Sequence, residues 1–258
     1  MTPAKINKSS SKPTCDSLAP LYASSLPPIK SVILILILGL LALKGLMPVH
    51  NATYVPGAGF SGFWYSFGRI SNLPNNLDRD YLCFSAGCLV VSSVFLGKDY
   101  TAVAQSAVDI QRRWKDGKIS QYDVASIFVD DLLDLTGKPG NRLLQDEWLK
   151  QVYVLTSSWY TGANMKVAKN RGELRELLVQ TSFIPFATGF GFNHEGSNDG
   201  GFSLLFHPRC EDNVMLPLTF QMFANILNVN MSMETVSELY DVGFQEEEAK
   251  RAPRAVLI

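Results

Sequence analysis

The chain is poor in the residues that usually announce a chemistry. It carries three histidines, His50, His194 and His207, in 258 residues. None lies in a recognisable Ser-His-Asp motif, so a triad has no anchor in the sequence. It has four cysteines, Cys15, Cys83, Cys88 and Cys210, and no CxxC pair. That spacing argues against zinc and thioredoxin-like sites. So few cysteines in so long a chain also argue against a disulfide framework, and the four are expected as free, mostly buried thiols. Charge is scarce and balanced: 18% of residues are charged and the formal net charge is -1. Nothing in that balance points to nucleic acid. There is no internal repeat. What is abundant is apolar surface, 47% of residues, ample for one sizeable core and one domain.

Residues 1–30 are rich in Ser, Pro and Lys and read as a disordered basic tail. Residues 31–48 follow as a hydrophobic segment, with Val32 to Leu43 free of any polar side chain. Counted from Ile29 to Val49, with Lys44 snorkelling, it reaches about 20 residues, enough to span a bilayer. A membrane segment is the reading carried forward, against a cleaved signal peptide or a buried core element. Lysines ahead of it would leave the N-terminus cytosolic and the domain across the membrane, unless the segment dips in and returns. Asn51-Ala52-Thr53 would be a luminal glycosylation sequon.

The remainder, 49–251, alternates strand and helix patterns, which predicts an α/β domain with a central, mostly parallel sheet and helices on both faces. Residues 252–258 are a C-terminal tail. His50 to Val55 reads as a strand, and Phe63 to Phe67 as an aromatic helix or strand. Tyr81 to Phe84 is a strand that runs into an apolar helix. Tyr100 to Trp114 and Tyr122 to Leu135 have helical spacing, the second with Asp130, Asp131 and Asp134 on a solvated face. Gln151 to Ser157 and Asn164 to Ala168 are strands joined by a turn at Tyr160-Thr161-Gly162. Lys138-Pro139-Gly140 breaks the chain. Asn170 and Glu173 resemble a capping box for a helix that buries Leu174, Leu177 and Leu178. Leu216 to Leu227 is a long apolar run, and Glu238 to Arg251 a closing helix with a glycine inside it.

Three motifs carry chemistry. Ser85 stands at a sharp strand-to-helix junction between Cys83 and Gly87, as a nucleophile does in an elbow. A neutral serine needs a base within hydrogen-bond reach and donors for the oxyanion. Gly57-Ala58-Gly59-Phe60-Ser61-Gly62 is a G-x-G-x-x-G. It fits a backbone oxyanion hole, a dinucleotide loop with Asp78 as its acidic partner, or a plain glycine turn. Asp199, in Asp199-Gly200-Gly201, is a turn residue or a general base. His194 and His207 flank that loop and are weaker candidates for the base. Cys83 and Cys88 are weaker candidates for the nucleophile.

The order of these motifs is more telling than any one of them. The glycine loop precedes Ser85 by 23 residues and Asp199 follows it by 114. In this order, with GAGFSGFWYSFG, TSFIPFATG and ELYDVGFQEEEAKR, the chain from Val49 to Arg251 resembles the patatin-like phospholipases, above all their adiponutrin-like branch. The resemblance implies a patatin-like three-layer fold and a lipid acyl hydrolase that needs no cofactor or metal. Ser85 would be the nucleophile and Asp199 the base. The oxyanion hole would come from Gly57, Ala58, Gly59 and Phe60. The elbow positions would be Cys83 and Gly87, and the further motif glycines Gly62, Gly200 and Gly201. Its partners would be a lipid substrate and a membrane or lipid-droplet surface. The chain departs from the family at Cys83, where glycine is usual, and after Gly201, where Phe202-Ser203-Leu204-Leu205 replaces an Asn-x-Pro pattern. The competing expectations are a patatin-like interaction protein with little catalysis, and a nucleotide-binding oxidoreductase. Head group, acyl length and the balance of hydrolysis against acyl transfer are not legible.

Overall fold

The computed structural model describes residues 49–134, 146–158, 162–215 and 232–251. The expected tail, the hydrophobic segment 31–48, Lys138-Pro139-Gly140, the Tyr160-Thr161 part of the turn, the apolar run 216–227 and the C-terminal tail lie outside them. Among the described residues no helix is long and apolar enough to cross a membrane.

The predicted alternation is found. Strand β1 (Val49–Val55) leads through the glycine loop into helix α1 (Gly59–Ser71), so the aromatic run Phe63 to Phe67 is helical. Strand β2 (Tyr81–Cys83) passes Phe84 and Ser85 into α2 (Ala86–Phe95). Helices α3 (Tyr100–Lys115) and α4 (Val124–Asp134) follow, then β3 (Val152–Ser158), β4 (Gly162–Val167) and α5 (Arg171–Thr181). The two-residue strand β5 (Asn198–Asp199) opens a 3-10 segment, Gly200–Phe206. Strand β6 (Arg209–Asn213) and α6 (Met233–Arg251) close the domain.

The sheet order is β4-β3-β2-β1-β6. The pairs β6–β1, β1–β2 and β2–β3 are parallel, and β4 is an antiparallel edge on β3. The fold is therefore α/β on a mostly parallel mixed sheet. Alternation along the strands gives each face its own core. One face sets Val55, Tyr81, Cys83, Val152 and Val154 into the main core, to which all six described α-helices contribute. The other carries Ala52, Leu82, Phe84 and Leu155 with Tyr54 and Tyr153. The ring of His207 lies against that second face, 5.1 Å from Phe84 and 6.0 Å from Tyr54.

Local chemistry explains several boundaries. Asn170 caps α5 by accepting the Glu173 N–H at 2.9 Å, while Glu173 accepts the Lys169 N–H at 2.8 Å. The box therefore closes one residue earlier than the usual pattern, on Lys169 rather than on the cap residue. Asp130 and Asp131 are not idle on a solvated face. Asp130 accepts from Arg175 of α5 and Asp131 from Ser106 of α3, which ties three helices together.

One expectation is overturned outright. Cys83 and Cys88 are not free thiols: they form a disulfide, with Cα atoms 5.0 Å apart. The pairing is set by tertiary geometry. The sharp turn at Ser85 folds the first turn of α2 back against the end of β2, which a count of cysteines does not reveal. Cys210 is free and half-buried.

Candidate active site

Strand β2 is short. It pairs with β3 as far as Cys83 opposite Val154, while β3 runs on to Ser158. The row that β2 leaves is taken up by β5, which lies antiparallel to β3 with Asp199 opposite Thr156. Asp199 thus stands two β3 residues beyond the end of β2, about 7 Å along the sheet. Ser85 turns out of that same row. Strand exchange in one sheet position brings together residues 114 apart in sequence.

Ser85 has φ 51° and ψ -135°, a conformation that residues with a Cβ rarely adopt. It is held by its neighbours. Its N–H donates to Thr181 Oγ1 at 2.9 Å, and that hydroxyl donates to the Leu155 carbonyl at 2.5 Å. Gly87 N–H reaches Phe84 O and Cys88 N–H reaches Ser85 O, both at 3.0 Å. A Cβ on Gly87 would lie 2.2 Å from the Val55 carbonyl, so only glycine lets α2 start this close to the end of β1. This is the strand-turn-helix context that the Ser85 motif requires.

The carboxyl of Asp199 faces the Ser85 side chain, near enough for the hydroxyl to favour its ionised form. It also accepts the Gly201 N–H at 2.7 Å. Its backbone is fixed on both sides, by N–H donation to Phe183 O at 2.8 Å and by acceptance from Ser157 Oγ at 2.7 Å. The residue is 6% exposed. Burial pushes its carboxyl up to about 6, and the hydrogen bonds from Ser85 and Gly201 pull the other way.

The glycine loop reaches the same place. A Cβ on Gly57 would lie 2.5 Å from Ser85 Cβ, so the loop lies directly against the serine. Ala58 caps α1 and Gly59, at φ 56°, begins it. The first intrahelical bond runs from Gly62 N–H to Ala58 O, at 3.0 Å. The N–H groups of Gly59 and Phe60 precede it in the helix's first turn, where amides lack intrahelical partners. The N-termini of α1 and α2 therefore converge at Ser85, and both favour negative charge there. Asp78, the acidic partner that a dinucleotide loop would need, precedes β2. It thus sits at the opposite end of the parallel strands from the glycine loop.

The three histidines go elsewhere. His207 is buried with both ring nitrogens engaged: Nε2 lies 2.8 Å from the Gly200 carbonyl and Nδ1 lies 2.8 Å from the Tyr54 hydroxyl. The carbonyl can only accept, so Nε2 carries a proton, and in the neutral ring Nδ1 accepts from the Tyr54 hydroxyl. His207 therefore braces the turn that carries Asp199. His194 sits beside Glu176, at 3.6 Å, and His50 packs edge-on against Tyr153. Phe84 is a hub that no motif in the sequence marks. Its side chain occupies the space that Cβ atoms on Gly57, Gly200 and Gly201 would enter. Thr181 was legible only as a helix end, because its partners, Ser85 and Leu155, come from other elements.

An open cavity of about 550 Å³ adjoins the site, lined by Ser157, Asn198, Phe202, Ser203 and Phe206 among others; neither Ser85 nor Asp199 lines it. Exposed aromatics bracket Asp199 in sequence: Phe186, Phe190 and Phe192 before it, Phe202 and Phe206 after it. Among the described residues, Glu176, His194 and Glu195 place ligand atoms within 4.8 Å of one another. Their carboxylates already accept from Arg175 and Gln180. No family model matches the chain, and neither does any curated protein or solved structure.

Proposed function

We propose that the protein is a lipid acyl hydrolase of the patatin-like type, acting through Ser85 and Asp199. The observation that carries this reading is the strained serine at a strand-to-helix turn, set beside a buried carboxylate rather than a histidine. A three-layer patatin-like architecture and a membrane-held domain belong to the same reading.

The chemistry follows from the groups present. Asp199, raised to about 6 and ionised at neutral pH, accepts the hydroxyl proton as Ser85 Oγ attacks the ester carbonyl. The N–H groups at the start of α1, in the Gly57 to Phe60 loop, are the candidate donors to the resulting oxyanion. Collapse expels the alcohol, which takes the proton from Asp199, and leaves an acyl-Ser85 ester. Water then attacks with Asp199 as base, and fatty acid leaves. The exposed Phe202 and Phe206, which line the cavity beside Asn198, suit an apolar acyl chain presented at a lipid surface.

The test is a serine-directed fluorophosphonate probe combined with a panel of phospholipid and acylglycerol micelles. Wild type is expected to label at Ser85 and to release fatty acid, and Ser85→Ala to do neither. A folded wild type that does neither would make the protein a lipid-surface interaction module.

A further inference from the structure

We infer that the Cys83–Cys88 disulfide is a positioning device for Ser85, installed when the chain folds, and that the nucleophile works at full rate only in the cross-linked form. The inference rests on the proposed role of Ser85 as nucleophile.

The link joins the last residue of β2 to the first turn of α2 and encloses only Phe84, Ser85, Ala86 and Gly87. Within that span lies the positive-φ serine. A serine there gains by relaxing to negative φ, and that rotation swings the end of the strand away from the start of the helix. The two backbone bonds across the turn and the Ser85 N–H bond to Thr181 resist this weakly, and the covalent link resists it outright. A disulfide that closes so short a loop removes little freedom from the unfolded chain. Its effect is therefore concentrated on the geometry of the elbow rather than on global stability. It also accounts for a cysteine where a small residue is expected, since its sulfur is consumed in the link.

Both cysteines are fully buried. Thiol–disulfide exchange needs a thiolate to reach a sulfur in line, which the closed elbow does not allow. The redox state is thus decided during folding. An incoming disulfide oxidant takes two electrons and two protons from Cys83 and Cys88; it leaves as two thiols and the Sγ–Sγ bond forms. A chain folded in a reducing compartment would have the same fold and a slow serine.

The experiment compares four preparations: oxidised wild type, wild type folded in dithiothreitol, Cys88→Ala and Cys83→Ser. Peptide mapping without reduction reports the link. Fluorophosphonate labelling of Ser85 and ester turnover report the nucleophile. Oxidised wild type should show the link and label fastest. The other three should label 10- to 100-fold more slowly and lose kcat, with KM within about twofold and with unchanged circular dichroism. Dithiothreitol added to folded, oxidised protein should leave the rate unchanged for hours. Reoxidation during refolding should restore the wild-type rate and leave Cys88→Ala slow. Because the reduced wild type carries no substitution, a misfolded variant does not decide the matter. Variants and reduced wild type that label as fast as the oxidised form overturn the positioning role alone. An oxidised, cross-linked wild type that never labels overturns the nucleophile reading, and the positioning role falls with it.

Discussion

At the scale of residues, the proposed mechanism has Asp199 set the pH behaviour of both activity and stability, with opposite signs. As the proposed base it works ionised, so turnover should rise as pH increases through about 6. Its folded-state carboxyl titrates above an unfolded aspartate at about 4, so between these values the native state holds more protons than the unfolded state. The sign is that of a cost: the contribution of Asp199 falls as pH rises through that window and stays unfavourable above it. Asp199→Asn should therefore lose about 10³-fold or more in kcat and yet gain on the order of 1–3 kcal/mol of stability at pH 8, a gain that shrinks towards pH 4. Chemical denaturation at the two pH values measures this, and a variant no more stable at pH 8 than at pH 4 would refute it. His207 gives the complementary check. His207→Gln should lose about 1–3 kcal/mol, because the Tyr54 hydroxyl and Gly200 carbonyl lose well-placed partners. The acid limb of turnover near pH 6 should stay in place, and its movement in this variant would make the histidine, not Asp199, the titrating base.

Several of these placements are readable in the sequence alone. The turn at Ser85 and the polar turn at Asp199 are legible because their local motifs are short and ordered. The elbow, the glycine loop and the cap at Asn170 each depend on a few neighbours in sequence. Thr181, Phe84 and the roles of His207 are not legible, since each depends on at least one partner more than 25 residues away. The disulfide escaped for a different reason. Five residues is an ordinary spacing in a strand or a helix, and only the turn between the two brings the sulfurs together.

At the scale of elements, the glycine inside the closing helix was visible in the sequence and its reason was not. Helices α1 and α6 cross at Gly68 and Gly243. A Cβ on Gly243 would fall 2.0 Å from the Tyr65 carbonyl, and one on Gly68 would fall 2.0 Å from the Tyr240 carbonyl. Each helix thus presents a hollow where the other brings backbone. Gly243→Ala improves helix propensity by roughly 1 kcal/mol but forces the helices apart. A net loss of about 2–4 kcal/mol is expected, read as a lower denaturation midpoint at unchanged slope. Strand β5 shows the converse limit of the sequence. Two residues carry no period, and Asn198–Asp199 is a strand only because β3 outruns β2 and offers it a partner.

At the scale of the whole molecule, α1 lies against the proposed nucleophile at one end and closes the domain at the other. Its N-terminus meets Ser85, while Tyr65 and Arg69, a turn or more further on, grip α6. Tyr65 donates to Glu246 at 2.5 Å, and Arg69 to Glu247 at 2.9 Å across 178 residues of chain. Arg69 and Glu247 are 5% and 8% exposed at their side chains, so neither charge has water to fall back on. Removing one leaves the other only a longer contact, Arg69 to Glu246 or Glu247 to Lys250, each at 3.8 Å, at a cost of about 3 kcal/mol, whereas replacing both with apolar residues of similar volume is near neutral. Glu247→Ala should therefore lower the melting temperature by roughly 10 °C, given about 2–4 °C per kcal/mol for a domain of this size. Arg69→Met with Glu247→Leu should recover most of it. A 13-residue helix places these groups about 15 Å from its first turn. Below the melt, all three forms should therefore label Ser85 at the wild-type rate. A slowed label in folded Glu247→Ala would mean that the closing helix also shapes the oxyanion loop, and that closure and catalysis are not separable along α1.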